Sequence, residues 1–355
     1  GLSILLDKNG KAVEAASLCR RVLEITPDHV GANTRLARHR RFQQDDFMLK
    51  RLRSLVERDG NTPEEKAELC AALGKAHDDL GDYKKAFGFY KQMNELASVH
   101  GEFDTRKFNS RIDDILTQFQ NPVVNAEKMD SGRCPVFIVG LSRSGKSLVE
   151  SLLSRQPEVH AAGECHIWHQ TVEKVAERHG VHREFPQSTE QFGEEEFGEI
   201  RKEYFARTGA TSRGRRFYVN TLPGYFAYIG LILRCLPGAK IIHCTRNLYD
   251  NALQIFFKKY GHGHEYSRNL HDLAAYILGY QRLMDHWKLQ NLETILEVRY
   301  EEIVEDPERT SERLFDFCGL ESVTGLPDTE FHQREIGHWK NYENQLEELI
   351  TVLGK

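Results

Sequence analysis

Two kinds of hydrophobic spacing divide the chain. In GKAVEAASLCRRVLEITPDHVGAN (10–33) and EKAELCAALGKAHDDLGDYKKAFGFYKQMNEL (65–96) the apolar positions recur at helical spacing, which predicts amphipathic helices. From Cys134 onward, short β-branched runs (VFIVG, FYVN, KIIHCT and ILEVRY) alternate with helical stretches, which predicts an α/β domain with a mostly parallel sheet covered by helices. Between them QNPVVNAEKMDSGRCP is polar and irregular and reads as a linker. The expected organisation is a helical domain over 1–120, a linker over 121–133 and an α/β domain over 134–355. Residues 171–215, rich in charge and weak in periodicity, are expected to form helices and loops over the site and to carry substrate contacts.

The two helical stretches share one grammar. Gly10 and Gly81 stand at turns, Ala15 and Ala86 are small where helices must approach, and Phe87 and Tyr90 face inward against Leu73, Gly74 and His77 of the preceding helix. The glycines are 71 residues apart, about two periods of a tetratricopeptide repeat with a small insertion, so a degenerate middle repeat is expected between them. An arbitrary helical bundle is the alternative reading of the same pattern.

Composition narrows the function. The 355 residues are 40% hydrophobic and 28% charged, as in a globular protein, and the net charge of -5 argues against a general nucleic-acid binder. Any anion site must then be a local focus of positive charge. Seven cysteines, odd in number and without a C-x-x-C pair, point to reduced thiols. Glu164-Cys165-His166 is a dense polar cluster, but adjacent residues rarely converge on one ion, and no metal is expected. With no apolar run approaching about 18 residues and no leader pattern, the expectation is a cytoplasmic protein without a membrane span. The start within a helical pattern predicts that further residues precede Gly1.

The chemistry concentrates in PVFIVGLSRSGKSLV (135–149), a strand, a glycine loop and a helix start. Such a turn leaves N–H groups unpaired at the positive end of a helix, which makes a phosphate cradle. Gly140-x-x-x-x-Gly145-Lys146-Ser147 satisfies the Walker A pattern, so a kinase or ATPase using Mg-ATP is one reading. That reading needs a carboxylate for Mg²⁺ at the end of another apolar strand, and FYVN, KIIHCTR and ILEVRY supply none outside the Tyr300-Glu301 motif. In KIIHCTRNLYDNALQIFFKKY a strand ends in Arg246, and Asp250, Gln254 and Lys258 follow at steps of four on one helix face, an arrangement suited to a second phosphate. A solvated face beside a structural arginine is the competing explanation.

Taken together, these pieces resemble the sulfotransferase family, in the branch that carries tetratricopeptide repeats ahead of the transferase domain, and the likeness runs over nearly the whole chain. GLSRSGKSL is similar to the family's G-x-P-R-S-G-T-T-L loop. The resemblance implies a P-loop-like fold in which Arg143, Ser144, Gly145, Lys146 and Ser147 hold the 5′-phosphosulfate of 3′-phosphoadenosine 5′-phosphosulfate. It further implies that Arg246, with Gln254 in place of a serine and Lys258 at a further basic position, holds the 3′-phosphate. Tyr300 in VRYEEIVEDPERTSERLFDFCGL would lie against the nucleotide, and GHWKNYENQLEEL is similar to a closing G-x-W-x-N-Y motif. By the same analogy Glu164, in a Gly-Glu pair about 20 residues after the loop, is the general base. His166 is the second candidate and His169 a third.

Departures from the family pattern are informative. Lys146 stands where threonine is usual, and Thr221 stands where a lysine is common, which suggests that Lys146 supplies the charge missing at 221. The implied activity is sulfuryl transfer to a hydroxyl or amine acceptor, whether small molecule, glycan or peptide. The repeats would hold a protein partner or a second copy. A catalytically inactive, sulfotransferase-like binding protein is the alternative from another class.

Overall fold

The computed structural model describes residues 3, 12–97, 101–121, 132–290, 293–323, 325 and 335–354. Gly10 and most of the expected linker lie outside them. Among the described residues an all-helical region of six helices comes first: α1 (Ala12–Ile25), α2 (Val30–Arg38), α3 (Phe47–Val56), α4 (Pro63–Asp79), α5 (Tyr83–Ala97) and α6 (Thr105–Gln118). An α/β region follows with β1 (Cys134–Val139), α7 (Lys146–Leu153), β2 (Val159–Ala161), α8 (Ile167–Arg178), α9 (Glu194–Ser212), β3 (Phe217–Asn220) and α10 (Ile229–Cys235). It continues with β4 (Lys240–Thr245), α11 (Leu248–Phe256), α12 (Leu270–Gln290), β5 (Ile295–Arg299), α13 (Tyr300–Glu305), α14 (Pro307–Cys318) and α15 (Glu347–Leu353). Two compact units result: Gly1–Phe103 with Ala252–Ala275 and His338–Lys355, and Asp104–Asn251 with Tyr276–Gly337.

In the first unit, α4 starts at a capping box, Thr62 accepting from the Glu65 N–H while the Glu65 carboxylate accepts from the Thr62 N–H, with Pro63 at the first helical position. Gly81, at φ +75, turns the chain into α5. Gly74 has no side chain because the Tyr90 ring lies where its Cβ would be, 3.0 Å away, so α4 and α5 pack closely. Leu49, Leu52, Leu69, Leu73 and Ala76 form one core. A second gathers Ala86, Leu253, Tyr342 and Leu346, with Phe87 stacked on Phe256 at 5.1 Å and Tyr90 on Phe257 at 3.9 Å. The Trp339-to-Tyr342 part of the closing motif thus serves this core, Tyr342 being fully buried and donating to Asp78.

The second unit holds a five-stranded, all-parallel sheet in the order β2-β3-β1-β4-β5. Strand alternation sends Val136 and Ile138 to one face, where they meet Val149 and Leu152 of α7, Ile303 of α13 and Leu314 and Phe315 of α14. Phe137 goes to the other face, within 6.1 Å of the rings of Trp168, Tyr204 and Tyr225. Both faces are therefore buried, as a parallel sheet requires, and each large side chain so buried stabilises the unit by roughly 1.5–3 kcal/mol. From the end of β1 the chain turns toward β2, while from the end of β4 it turns the other way toward β5. The crevice between the C-terminal ends of β1 and β4 is the point where the strand order reverses, the usual ligand position in open α/β sheets.

Candidate active site

The loop that leaves β1 at this crevice has a conformation only certain residues tolerate. Gly140 has φ +143, and a Cβ there would sit 2.3 Å from the Cys244 carbonyl oxygen of β4. Gly140→Ala is expected to cost about 3 kcal/mol by combining a backbone clash with a left-handed φ, read as a lowered urea midpoint; an unchanged midpoint would show that β4 yields freely. Gly145, at φ +96, has the Tyr300 ring 3.1 Å from where its Cβ would be. Arg143 is a non-glycine residue at φ +66, with its side chain exposed.

Inside the curl, Lys146 is 6% exposed and its Nζ donates to the carbonyls of Gly140 (3.2 Å) and Leu141 (2.6 Å). Burial pushes its pKa down to about 8, opposed by Cys244 and Glu164 and reinforced by Arg143. Ser144 is buried and its Oγ has no hydrogen-bond partner. Ser147 is exposed at the head of α7, where no side chain caps the helix and the Leu148 N–H donates to the Gly145 carbonyl (3.0 Å).

Arg246 follows β4, with its side chain 1% exposed. Its Nη1 donates to the Arg143 carbonyl (3.2 Å), and its guanidinium lies 4.1 Å from the centre of the Tyr300 ring, a cation–π contact. Burial pushes Tyr300 up to about 12. The Nε of Arg246 is buried without a partner, whereas both Nη atoms donate to Glu335 Oε2 at 3.2 Å and Nη2 also donates to the Glu335 carbonyl at 3.0 Å. The β4–α11 turn is fixed by its neighbours. Glu301 Oε1 accepts from the Asn247 N–H (2.8 Å), the Asn247 side chain caps α11, and Asn251 donates to the Ser142 carbonyl (2.7 Å). Unpaired donors on Ser144 and Arg246, around a buried lysine at a helix start, fit an anion of phosphate type.

Glu164 and His166 lie exposed just beyond β2, before α8. Gly163, at φ +65, makes the bend and is held on both sides: its N–H donates to Glu150 Oε1 (2.7 Å), and its carbonyl accepts from Thr221 (3.1 Å) and Cys165 (2.9 Å). Thr221 Oγ1 donates to the other Glu150 oxygen (3.4 Å). Burial raises the Glu150 pKa against these hydrogen bonds, and the Glu164 charge adds to the rise. His169 stacks on Tyr225 at 5.1 Å, and burial pushes it down to about 4, so it is neutral near pH 7. A cavity of about 490 Å³ opens beside α8, lined among others by Arg111, His169, Val172, Phe185 and Tyr228. Residues 171–215 supply most of α8 and all of α9, covering the Phe137 face of the sheet.

Arg143 to Ser147, Lys146, Glu164, His166, Arg246 and Tyr300 all belong to the second unit, which gathers the loop, Arg246 and Tyr300 at one crevice and sets Glu164 close enough to Lys146 to influence its charge. Gln254 and Lys258 belong to the first. The step-of-four face expected through Lys258 stops short, because α11 ends at Phe256, where Phe256 and Phe257 turn into the aromatic core. Pattern reading did not find Glu150 or Glu335, nor the bond from Glu301 to the Asn247 N–H, since each depends on a partner brought close only by folding. Asn247 was findable, being a capping residue directly before a helix. Among the described residues no group of three or more His, Cys, Asp or Glu could hold a metal ion, and no helix is long and apolar enough to cross a membrane.

An uncharacterized protein of Aquifex aeolicus (strain VF5) is 24% identical over 375 aligned residues, which cover 98% of this chain and 49% of the relative, so the chain spans about half the length of that curated protein. Among solved structures, a sulfotransferase from Alicyclobacillus acidocaldarius is 16% identical, with 63% of this chain and 96% of that chain covered at a TM-score of 0.38. The sulfotransferase domain of the Synechococcus PCC 7002 olefin synthase is 17% identical, with 61% and 91% covered at a TM-score of 0.39. The profile of the family described as "Sulfotransferase family" matches residues 135–324, a stretch that begins with β1, runs through the loop, Arg246 and Tyr300, and makes up more than half of the chain. On that match, the chain belongs to the sulfotransferase family.

Proposed function

We propose that the protein transfers a sulfuryl group from 3′-phosphoadenosine 5′-phosphosulfate to a hydroxyl or amine acceptor. The observation that carries this reading is the buried Lys146 ammonium bonded to the Leu141 carbonyl inside the loop, together with the buried Arg246 guanidinium bonded to the Arg143 carbonyl of the same loop. Two fixed cations suit a donor with phosphate groups at two positions. In this reading the loop from Arg143 to Ser147 binds the phosphosulfate, Arg246 meets the 3′-phosphate, and Tyr300 lies by the nucleotide. The acceptor oxygen or nitrogen attacks sulfur, the bond from sulfur to the bridging oxygen breaks, and Glu164 takes the acceptor's proton. Lys146 stabilises the charge that grows on the bridging oxygen. His166 is the alternative base. His169, neutral and stacked, instead lines the cavity to which we assign the acceptor. Gln254 and Lys258 stay as further donor contacts, residues 1–120 as tetratricopeptide repeats that hold a protein partner or second copy, 134–355 as the transferase domain, and the cytoplasm as the compartment.

A thermal melt of the full chain separates this reading from a kinase or ATPase. Adenosine 3′,5′-bisphosphate at about 100 times its Kd is expected to add roughly 2.7 kcal/mol of stability, a rise of about 3–4 °C, with no comparable rise from Mg-ATP. A rise with Mg-ATP alone would favour phosphoryl transfer. A labelled-donor assay across alcohols, amines, glycans and tyrosine peptides then identifies the acceptor, and binding without turnover would indicate the inactive, binding-only form.

A further inference from the structure

Arg246 has five N–H donors, and the guanidinium fork meets a phosphate best with two of them side by side. Four of the five are already used. One Nη1 hydrogen goes to the Arg143 carbonyl, the other Nη1 hydrogen and one on Nη2 go to Glu335 Oε2, and the last goes to the Glu335 carbonyl. Only Nε is left without a partner. A phosphate arriving at Arg246 therefore cannot gain a two-point contact while Glu335 keeps its position. The carboxylate stands where such an anion would stand, on a guanidinium that is 1% exposed and would be costly to leave without a counter-charge.

The segment bearing Glu335 also has a second anchor. Two residues on, the Gly337 N–H donates to Asp250 Oδ2 at 2.6 Å, and Gly337 itself sits at φ +73, a left-handed conformation that favours glycine. Asp250 lies on α11, four residues after Arg246, so both anchors are on the same turn-and-helix. The Glu335 and Gly337 anchors share no hydrogen bond.

We propose that Glu335 is a specificity-determining residue of the donor site: a resident anion that the donor's 3′-phosphate displaces from Arg246. It rests on the donor reading given above. A carboxylate of single charge guards the guanidinium, and a phosphate of higher charge, fixed to a nucleotide held by the loop, replaces it. A nucleotide without a 3′-phosphate has nothing to exchange and gains nothing from Arg246. Glu335 thus sets how strongly the site favours 3′-phosphorylated nucleotides, and it keeps Arg246 neutralised when no donor is bound.

Calorimetric titration of the full chain with adenosine 3′,5′-bisphosphate and with adenosine 5′-monophosphate tests this in the unsubstituted protein, Glu335→Gln and Glu335→Ala. Both variants are expected to bind the bisphosphate about tenfold more tightly, because the competing anion is gone, and to bind the monophosphate within about twofold of the original. Unchanged or weaker bisphosphate binding in the variants overturns displacement and leaves the donor reading standing. A gain shared equally by both nucleotides overturns the assignment to the 3′-phosphate. Failure of all three chains to bind the bisphosphate sinks the donor reading itself. If neither variant folds, a crystal structure of the unsubstituted chain with bisphosphate decides: Glu335 released from Arg246 supports the proposal, and Glu335 still bonded to it overturns it.

Discussion

Lys146→Ala is expected to lower kcat for sulfuryl transfer by about 10²–10³-fold, the usual effect of removing one fixed donor from developing charge. Its ammonium is buried, ties the start of the loop together through the Gly140 and Leu141 carbonyls, and is the cation held inside the curl. Full activity in the alanine variant would end the idea that Lys146 supplies the charge missing at 221. The structure also changes what the compensating swap should do. Thr221 points its hydroxyl at Glu150, so a lysine introduced there meets that carboxylate first. Lys146→Thr combined with Thr221→Lys is therefore expected to stay near the activity of Lys146→Thr alone.

The pKa of Lys146 gives the same residue a pH signature. Because burial lowers it from its ordinary 10.5 to about 8, the lysine loses its charge as the pH rises past about 8, and bisphosphate affinity should fall there. Stability should move the opposite way. Between about pH 8 and 10.5 the unfolded chain holds a proton that the folded chain has released, so unfolding becomes harder as the pH rises, by on the order of 3 kcal/mol across the window. Lys146→Ala should show neither slope. Titrations and urea melts from pH 7 to 10 read both, and an affinity that is flat in the unsubstituted chain would overturn the assignment of Lys146 to the anion.

Glu164→Gln is the second large effect, with kcat expected to fall about 10²–10⁴-fold while bisphosphate binds within about twofold of the original. The amide keeps the size of the carboxylate but cannot accept the acceptor's proton. The bend that presents Glu164 is set by Glu150, Thr221 and Cys165 gripping Gly163, so the change at 164 leaves its support intact. Measuring kcat for Glu164→Gln beside His166→Ala separates the two bases. A Glu164→Gln enzyme that keeps more than about a tenth of kcat, while His166→Ala loses it, would transfer the role to His166.

What could be read in advance was whatever depends on neighbours in sequence. A β-branched run, a glycine loop and a lysine at a helix head are one continuous segment, and their order alone predicts a strand, a tight turn and a helix start, the local form of an anion cradle. Arg246 was legible for the same reason, as the residue where an apolar strand stops. The helix pair 63–79 and 83–97 followed from apolar spacing around Gly81. Lys258 shows the limit of this local logic: the step of four was carried past Phe256, where aromatic packing, a tertiary effect, had already ended the helix.

The sequence by itself determined the parallel α/β pattern and placed the glycine loop with Lys146 and the strand end at Arg246, because periodicity and local backbone geometry act over a few residues. Only the tertiary structure decided what surrounds those cations. Glu150 acts through Gly163 and Thr221, Glu301 through Asn247, and Glu335 through Arg246, pairs separated by 13 to 89 residues. A carboxylate gains such a role from the strand order that brings the ends of β1 and β4 side by side, and no spacing along the chain encodes that order.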